Sequence, residues 1–147
     1  MDILIAHDPR EPRNKCSLTA LRGLHGVEFV PVRRERIDAG RRIWLDLDGD
    51  ELSPADAGRG LLLIDCTWRR VPALAKLIDG DLVRRRLPKL VTAYPRRSKL
   101  VPDPDGGLAS VEALFAATVV MGEPRPELLA GYHWSREFLA ANPQLLR

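Results

Sequence analysis

Apolar residues in this chain come in short runs that stop abruptly. Ile3 to Ala6 gives way to His7-Asp8-Pro9, and Leu61 to Ile64 gives way to Asp65-Cys66-Thr67-Trp68-Arg69-Arg70. Runs this short, bounded by turn formers, predict interior strands. Two further stretches alternate, VEFVPV at 27–32 and IWLDL at 43–47, and predict strands separated by the basic segment RRERIDAGRR. LPKLVTA at 87–93 reads as one more strand. Between them, Leu18, Leu21 and Leu24 suit a short helix from Lys15 to Leu24 that stops at Gly23 or Gly26. Ser53-Pro54-Ala55-Asp56 suits a helix start with Ser53 as N-cap. Leu74, Leu77 and Ile78 suit a crossover helix from Val71 to Ile78. After the breaker-rich PRRSKLVPDPDGG, the last third reads as helical. Leu108 to Met121 is the longest such stretch, with Leu114, Phe115, Thr118 and Val119 as its buried face. Shorter helices are expected at Pro126 to Ala130 and at Ser135 to Ala141, the latter with Ser135 as N-cap. Strands alternating with helices predict an α/β fold with a largely parallel sheet. Ligands of such sheets lie beyond the carboxyl ends of the strands, which puts Asp65 and Trp68 at a crevice.

Composition narrows the class. The chain has 147 residues, 45% of them hydrophobic and 29% charged, enough for one compact domain or a small lobe joined to a larger one. Net charge is only +3, but the cations are grouped: Arg33, Arg34, Arg36, Arg41 and Arg42; Arg69 and Arg70; Arg84, Arg85 and Arg86; Arg96, Arg97 and Lys99. Grouped arginines suit a phosphate backbone, because each neutralised phosphate releases counterions. A solvated, arginine-rich surface is the competing account. Cys16 and Cys66 form no CxxC pair, and neither a signal-like start nor a long apolar run is present, so a cytoplasmic chain with reduced thiols and no membrane contact is expected. His7, His25 and His133 lack ligand spacing, which argues against a metal site. Gly106-Gly107 completes no phosphate-binding loop and reads as a turn.

Six segments in fixed order carry a family resemblance. They are Lys15-Cys16-Ser17, LSPAD at 52–56, IDCTWRR at 64–70, LPKLVTAYP at 87–95, LASVEA at 108–113 and YHWSREFLAAN at 132–142. The chain resembles the small-subunit ribosomal RNA aminocarboxypropyltransferases of archaea and eukaryotes, a ribosome-biogenesis family. Its members read LSPAD, VDCSWAR, LPxLVAANP, LSxxEA and FxWGxxFLxxN in the same order. The resemblance implies a SPOUT-like α/β domain with a parallel sheet and a C-terminal trefoil knot. Residues 51–147 would form this catalytic, cofactor-binding domain. Residues 1–50 would form a small N-terminal α/β lobe that faces RNA and contributes to the cofactor site.

The resemblance also implies a chemistry. S-adenosylmethionine serves as a substrate, its 3-amino-3-carboxypropyl group passing to N3 of a uridine or pseudouridine in small-subunit rRNA and leaving methylthioadenosine. Asp65 would deprotonate or orient the acceptor base. Trp68 would pack on the methyl side of the sulfonium. Donor contacts, mostly through the main chain, would come from Ser17 at the amino-acid end and Leu45 or Leu47 near the adenine. Ile64, Thr67, Leu90, Leu108, Ala109, Ser110 and Glu112 complete the set, although Glu112 near a helix start could equally serve as a cap. Arg69, Arg70, Arg96, Arg97 and Lys99 would contact structured RNA in the pre-ribosomal subunit, and the protein would act as a monomer without metal. A SPOUT-type RNA methyltransferase and a non-catalytic assembly factor are the alternatives. Two departures from the family pattern stand out: Tyr94 replaces an asparagine, and the hydroxyl expected before x-x-E-A falls on Ala109 with Ser110 one place late.

Overall fold

A computed structural model of the chain describes residues 1–10, 17–95 and 107–146. The two short apolar runs form β1, Ile3–His7, and β4, Gly60–Asp65. They lie side by side in parallel, with Ile3 opposite Leu61 and His7 opposite Asp65. β2, Val27–Pro31, pairs with the outer side of β1, and β3, Ile37–Glu51, pairs with the outer side of β4. β5, Ile78–Arg86, adds the far edge. All pairings are parallel, and the order across the sheet is β2-β1-β4-β3-β5. The α/β fold with a parallel sheet is therefore present as the sequence indicated.

β1 and β4 are continuous apolar runs because both of their faces are covered. Ile3, Ile5, Leu61 and Leu63 pack into one layer with Leu114 and Phe115 of α2, Ser110–Val120, and with Phe138 of α3, Ser135–Ala141. Leu4, Ala6, Leu62 and Ile64 point the other way and meet Leu74 of α1, Val71–Ala75, together with Ile78. Truncating a fully enclosed side chain such as Leu62 to Ala would cost about 2–5 kcal/mol. α2 buries Val111, Leu114, Phe115, Ala116, Ala117 and Thr118, far more than one stripe, because the sheet lies on one side and the C-terminal turns at Pro126–Leu129 and Pro143–Leu146 on the others. Gly122 ends it with φ of 83°, the left-handed conformation that glycine adopts without strain.

Several elements differ from expectation. Residues 87–93 form no strand; the strand precedes them as β5. As a sheet edge, β5 leaves Asp79, Gly80, Asp81, Arg84 and Arg86 exposed and so lacks the apolar run that identifies an interior strand. Pro88 could not donate to a ladder, and Leu90 instead buries itself among the residues packed on α2. Ile78 opens β5 rather than closing the crossover helix, which stops at Ala75. Residues 17–24 hold a single 3-10 turn at Thr19–Leu21, and the first part of that expected helix lies outside the described residues. Ser53 does cap, but it caps only one 3-10 turn, Pro54–Asp56. Trp134 rather than Ser135 is the N-cap of α3. The basic connector gives way to β3 at Ile37, where Ala39 and Ile43 are fully buried between half-buried or exposed neighbours. Strands from both sides of residue 50 interleave in the one sheet, and the regular elements beyond residue 107 are helical.

Candidate active site at the carboxyl ends of β1 and β4

Strand order creates the crevice. From β1 the chain goes on to β2 on one side, and from β4 it goes on to β5 on the other. The adjacent tips of β1 and β4 are thus a topological switch point, where departing connections diverge and leave room for a ligand. His7-Asp8 and Asp65 stand there, joined by a backbone hydrogen bond of 3.0 Å from the Asp8 N–H to the Asp65 carbonyl. By strand alternation Asp65 shares the face of Leu61 and Leu63, the face covered by α2.

Beyond Asp65 the chain turns into a 3-10 turn at Trp68–Arg70. Trp68 is 46% exposed, so its indole is not a core residue, and the Arg69 guanidinium lies 5.7 Å from its ring centroid. Thr67 is also exposed. Arg70 turns back and pairs with Asp8, whose side chain is only 3% exposed and also accepts the Arg10 N–H at 3.0 Å. This ion pair fastens the turn that carries Trp68 to the tip of β1. Asp8 is a positioning residue that sequence reasoning left as a turn former; its one signal was an acid directly after a buried run.

The far wall is built by long-range hydrogen bonds. Ser17 Oγ accepts the Val111 N–H at 3.4 Å, bringing the segment after β1 to the first turn of α2. It supplies the hydroxyl that Ala109, the N-cap, lacks. Glu112 is fully buried, and its carboxylate accepts four hydrogen bonds: from the Ala109 N–H at 2.9 Å, the Thr92 hydroxyl at 2.6 Å, the Ala93 N–H at 2.9 Å and the Tyr132 hydroxyl at 2.9 Å. A carboxylate so engaged anchors neighbours and has no reach left for a substrate. Burial, and then the bond to Glu112, push the Tyr132 phenol pKa well above its ordinary value. Asn142, also fully buried, holds the next stretch, accepting the Val91 N–H and donating to the Val91 carbonyl, both at 2.8 Å.

Among the expected donor contacts, the fold therefore gathers Ser17, Leu90, Leu108, Ala109, Ser110 and Glu112 around the start of α2, on the face shared by Asp65 and the buried Leu45. Ile64 is buried on the opposite face, so its contribution to this crevice is limited to the main chain. Leu47 is 52% exposed, placed by a bulge of β3 between Leu45 and Asp50. Gly49 permits that bulge, with φ of 99° and a carbonyl of Arg84 only 2.7 Å from where a Cβ would stand. Arg96, Arg97 and Lys99 lie outside the described residues. An apolar groove of about 300 Å³ opens on the other face, lined by Trp44, Leu62, Leu82 and Arg84 among others. It holds no acid and shares only Ile64 with the expected set.

A parallel sheet with an acid and an exposed indole at its switch point defines an α/β domain of the kind that holds ligands beyond its strand tips. Comparison with known proteins narrows this. Residues 46–147 match the family described as ribosome biogenesis protein, C-terminal. A 16S rRNA aminocarboxypropyltransferase from Vulcanisaeta distributa is 37% identical over 102 residues, 65% of this chain but 53% of that protein, so the match spans about half its length. Its namesake from Halobacterium salinarum is 36% identical across 100% of this chain and 86% of its own. The solved SAM-dependent rRNA:acp-transferase Tsr3 from Vulcanisaeta distributa superposes with a TM-score of 0.76 at 30% identity, covering 99% of this chain and 80% of that one. The chain belongs to this ribosome-biogenesis family, that of the 16S rRNA aminocarboxypropyltransferases.

Proposed function

We propose that the protein transfers the 3-amino-3-carboxypropyl group of S-adenosylmethionine to N3 of a uridine or pseudouridine in small-subunit rRNA, leaving methylthioadenosine. One observation carries the reading: within this family's fold, Asp65 and Trp68 leave the tip of β4 together at the switch point. The bound donor supplies a carbon already activated by its sulfonium, so the protein's task is orientation. Trp68 offers an indole face to that cation and shields the methyl. Asp65 accepts or directs the N3 proton of the acceptor. Ser17 and the start of α2 bracket the amino-acid end, and Leu45, Leu47 and Leu90 provide apolar surface for the adenine. Glu112 is assigned a positioning role, because all four of its contacts hold the walls of the crevice.

RNA would approach across the strand tips. Arg69 is exposed after β4, and Arg33 and Arg34 are exposed after β2, the strand on the other side of β1. Arg70 is spent on Asp8 and serves the turn instead. We also infer a trefoil knot. Residues 87–95 run without helix or strand and are held from both sides, by Asn142 of the C-terminal segment and by Glu112 of α2. An experimental trace of the chain from 87 to 110 that closes no knot would contradict it.

Calorimetric titration with S-adenosylmethionine tests the pocket. Wild type should bind, and Trp68→Ala should weaken binding by roughly thirtyfold, the equivalent of a desolvated cation–π contact of about 2 kcal/mol. Unchanged affinity in the variant would remove Trp68 from the donor site.

A further inference from the structure

From the arrangement of Tyr94, His133 and Trp134 we infer a shelf on which one nucleobase of the RNA stacks, separate from the groups assigned to the donor; the inference rests on RNA being the substrate. Tyr94 and Trp134 meet edge to face, with centroids 5.3 Å apart at 69°. His133 meets Trp134 at 4.8 Å and 83°, and Tyr132 meets it at 5.9 Å, so three rings fix the plane of the indole. Trp134 is itself half-buried against the core, but its outward neighbours reach solvent. Tyr94 is 36% exposed, the nearby Val91 is 58% exposed, and His133 is exposed as well.

The shelf is rigid from below. Ala93 and Tyr132, which precede Tyr94 and His133-Trp134, are tied to the same buried Glu112 carboxylate, and Val91 is held through both backbone groups by Asn142. Rings locked before binding lose little entropy when a base settles on them. Unpaired bases are commonly gripped in this way, by stacking on aromatic faces beside cations that meet the phosphates. Lys89 and Arg136, each two residues from Val91 or Trp134, are exposed; Glu137 is the exposed acid beside them. Tyr94 stands where the family pattern has an asparagine.

The test compares binding of a uridine oligonucleotide with an abasic oligonucleotide of the same length and charge, and measures group transfer to in-vitro-transcribed 16S rRNA. Wild type should prefer the base-bearing strand by roughly 5- to 150-fold, the range of one base–aromatic stack. Tyr94→Ala should lose that preference with an unchanged salt dependence and unchanged calorimetric affinity for S-adenosylmethionine, and Tyr94→Phe should retain it. If Tyr94→Ala discriminates like wild type while wild type modifies rRNA, the shelf is overturned and the proposed activity stands. Loss of donor affinity in Tyr94→Ala would overturn the shelf by assigning the ring to the donor pocket. A wild type that neither binds nor modifies RNA overturns both.

Discussion

Glu112 is a buried carboxylate whose hydrogen-bond partners among the described residues are all neutral: two backbone N–H groups, a threonine and a tyrosine. Replacing it with Gln leaves one acceptor oxygen for four donors and points an amide N–H₂ at the rest. Glu112→Gln should therefore destabilise the fold by about 1–3 kcal/mol, read as a lower urea midpoint. A midpoint within error of wild type would show that the clamp carries no energy. Tyr132 adds a pH signature. Its phenol pKa is raised in the fold, so below pH 10 the folded and unfolded states both hold the proton and stability is unaffected. Above pH 10 the unfolded chain releases a proton that the folded chain retains, and stability falls as pH rises. Tyr132→Phe should remove its share of that alkaline slope in denaturation measured from pH 9 to 11; an unchanged slope would contradict the burial argument. At this scale the position of Asp65 and Trp68 at a strand tip was legible because polar groups directly after an apolar run are local signals. The reach of Glu112 was not, since its partners at Thr92, Ala93 and Tyr132 lie about twenty residues away in either direction and only the cap at Ala109 is local.

At the scale of elements, the start of α2 shows how a missing cap is compensated. Ala109 has no hydroxyl, and Ser17, ninety-four residues distant, accepts the Val111 N–H in its place. Ser17→Ala should cost about 1 kcal/mol, and Ala109→Ser should restore most of it in the double variant by offering a local cap. Additive losses in thermal or urea denaturation would show that Ser17 is not capping the helix. The interior strands β1 and β4 and the long helix were readable, because burial on both faces or nearly all round imposes unbroken apolar runs. β5 was not, because an edge strand needs only Ile78, Leu82 and Val83 on its inner sides and places arginines elsewhere. Those arginines found acids that no local pattern announces: Arg84 with Asp46, Arg85 with Asp56 and Arg86 with Glu51. Among the described residues the grouped cations thus include a paired set, Arg36, Arg41 and Arg70 as well as the three on β5, and an exposed set, Arg33, Arg34 and Arg69, at the strand tips.

For the whole molecule, the order β2-β1-β4-β3-β5 does what no single element could, placing the diverging ends of β1 and β4 together and roofing them with the start of α2. Sequence order alone could not reveal that adjacency, although a strand ending in an acid and an indole indicated which tip to examine. If Asp65 handles the acceptor proton and not the donor, Asp65→Ala should keep calorimetric affinity for S-adenosylmethionine within about twofold and lower turnover by roughly 10²–10⁴. A variant with wild-type turnover would free Asp65 of that role. The central claim is the direction of transfer, that the indole side shields the methyl and the aminocarboxypropyl carbon meets the base. The most direct measurement is mass spectrometry of nucleosides and small-molecule products after incubation of the protein with S-adenosylmethionine and 16S rRNA. The expected result is a uridine-type nucleoside heavier by one aminocarboxypropyl group, with methylthioadenosine formed in equal amount. A methylated nucleoside accompanied by S-adenosylhomocysteine would contradict the account.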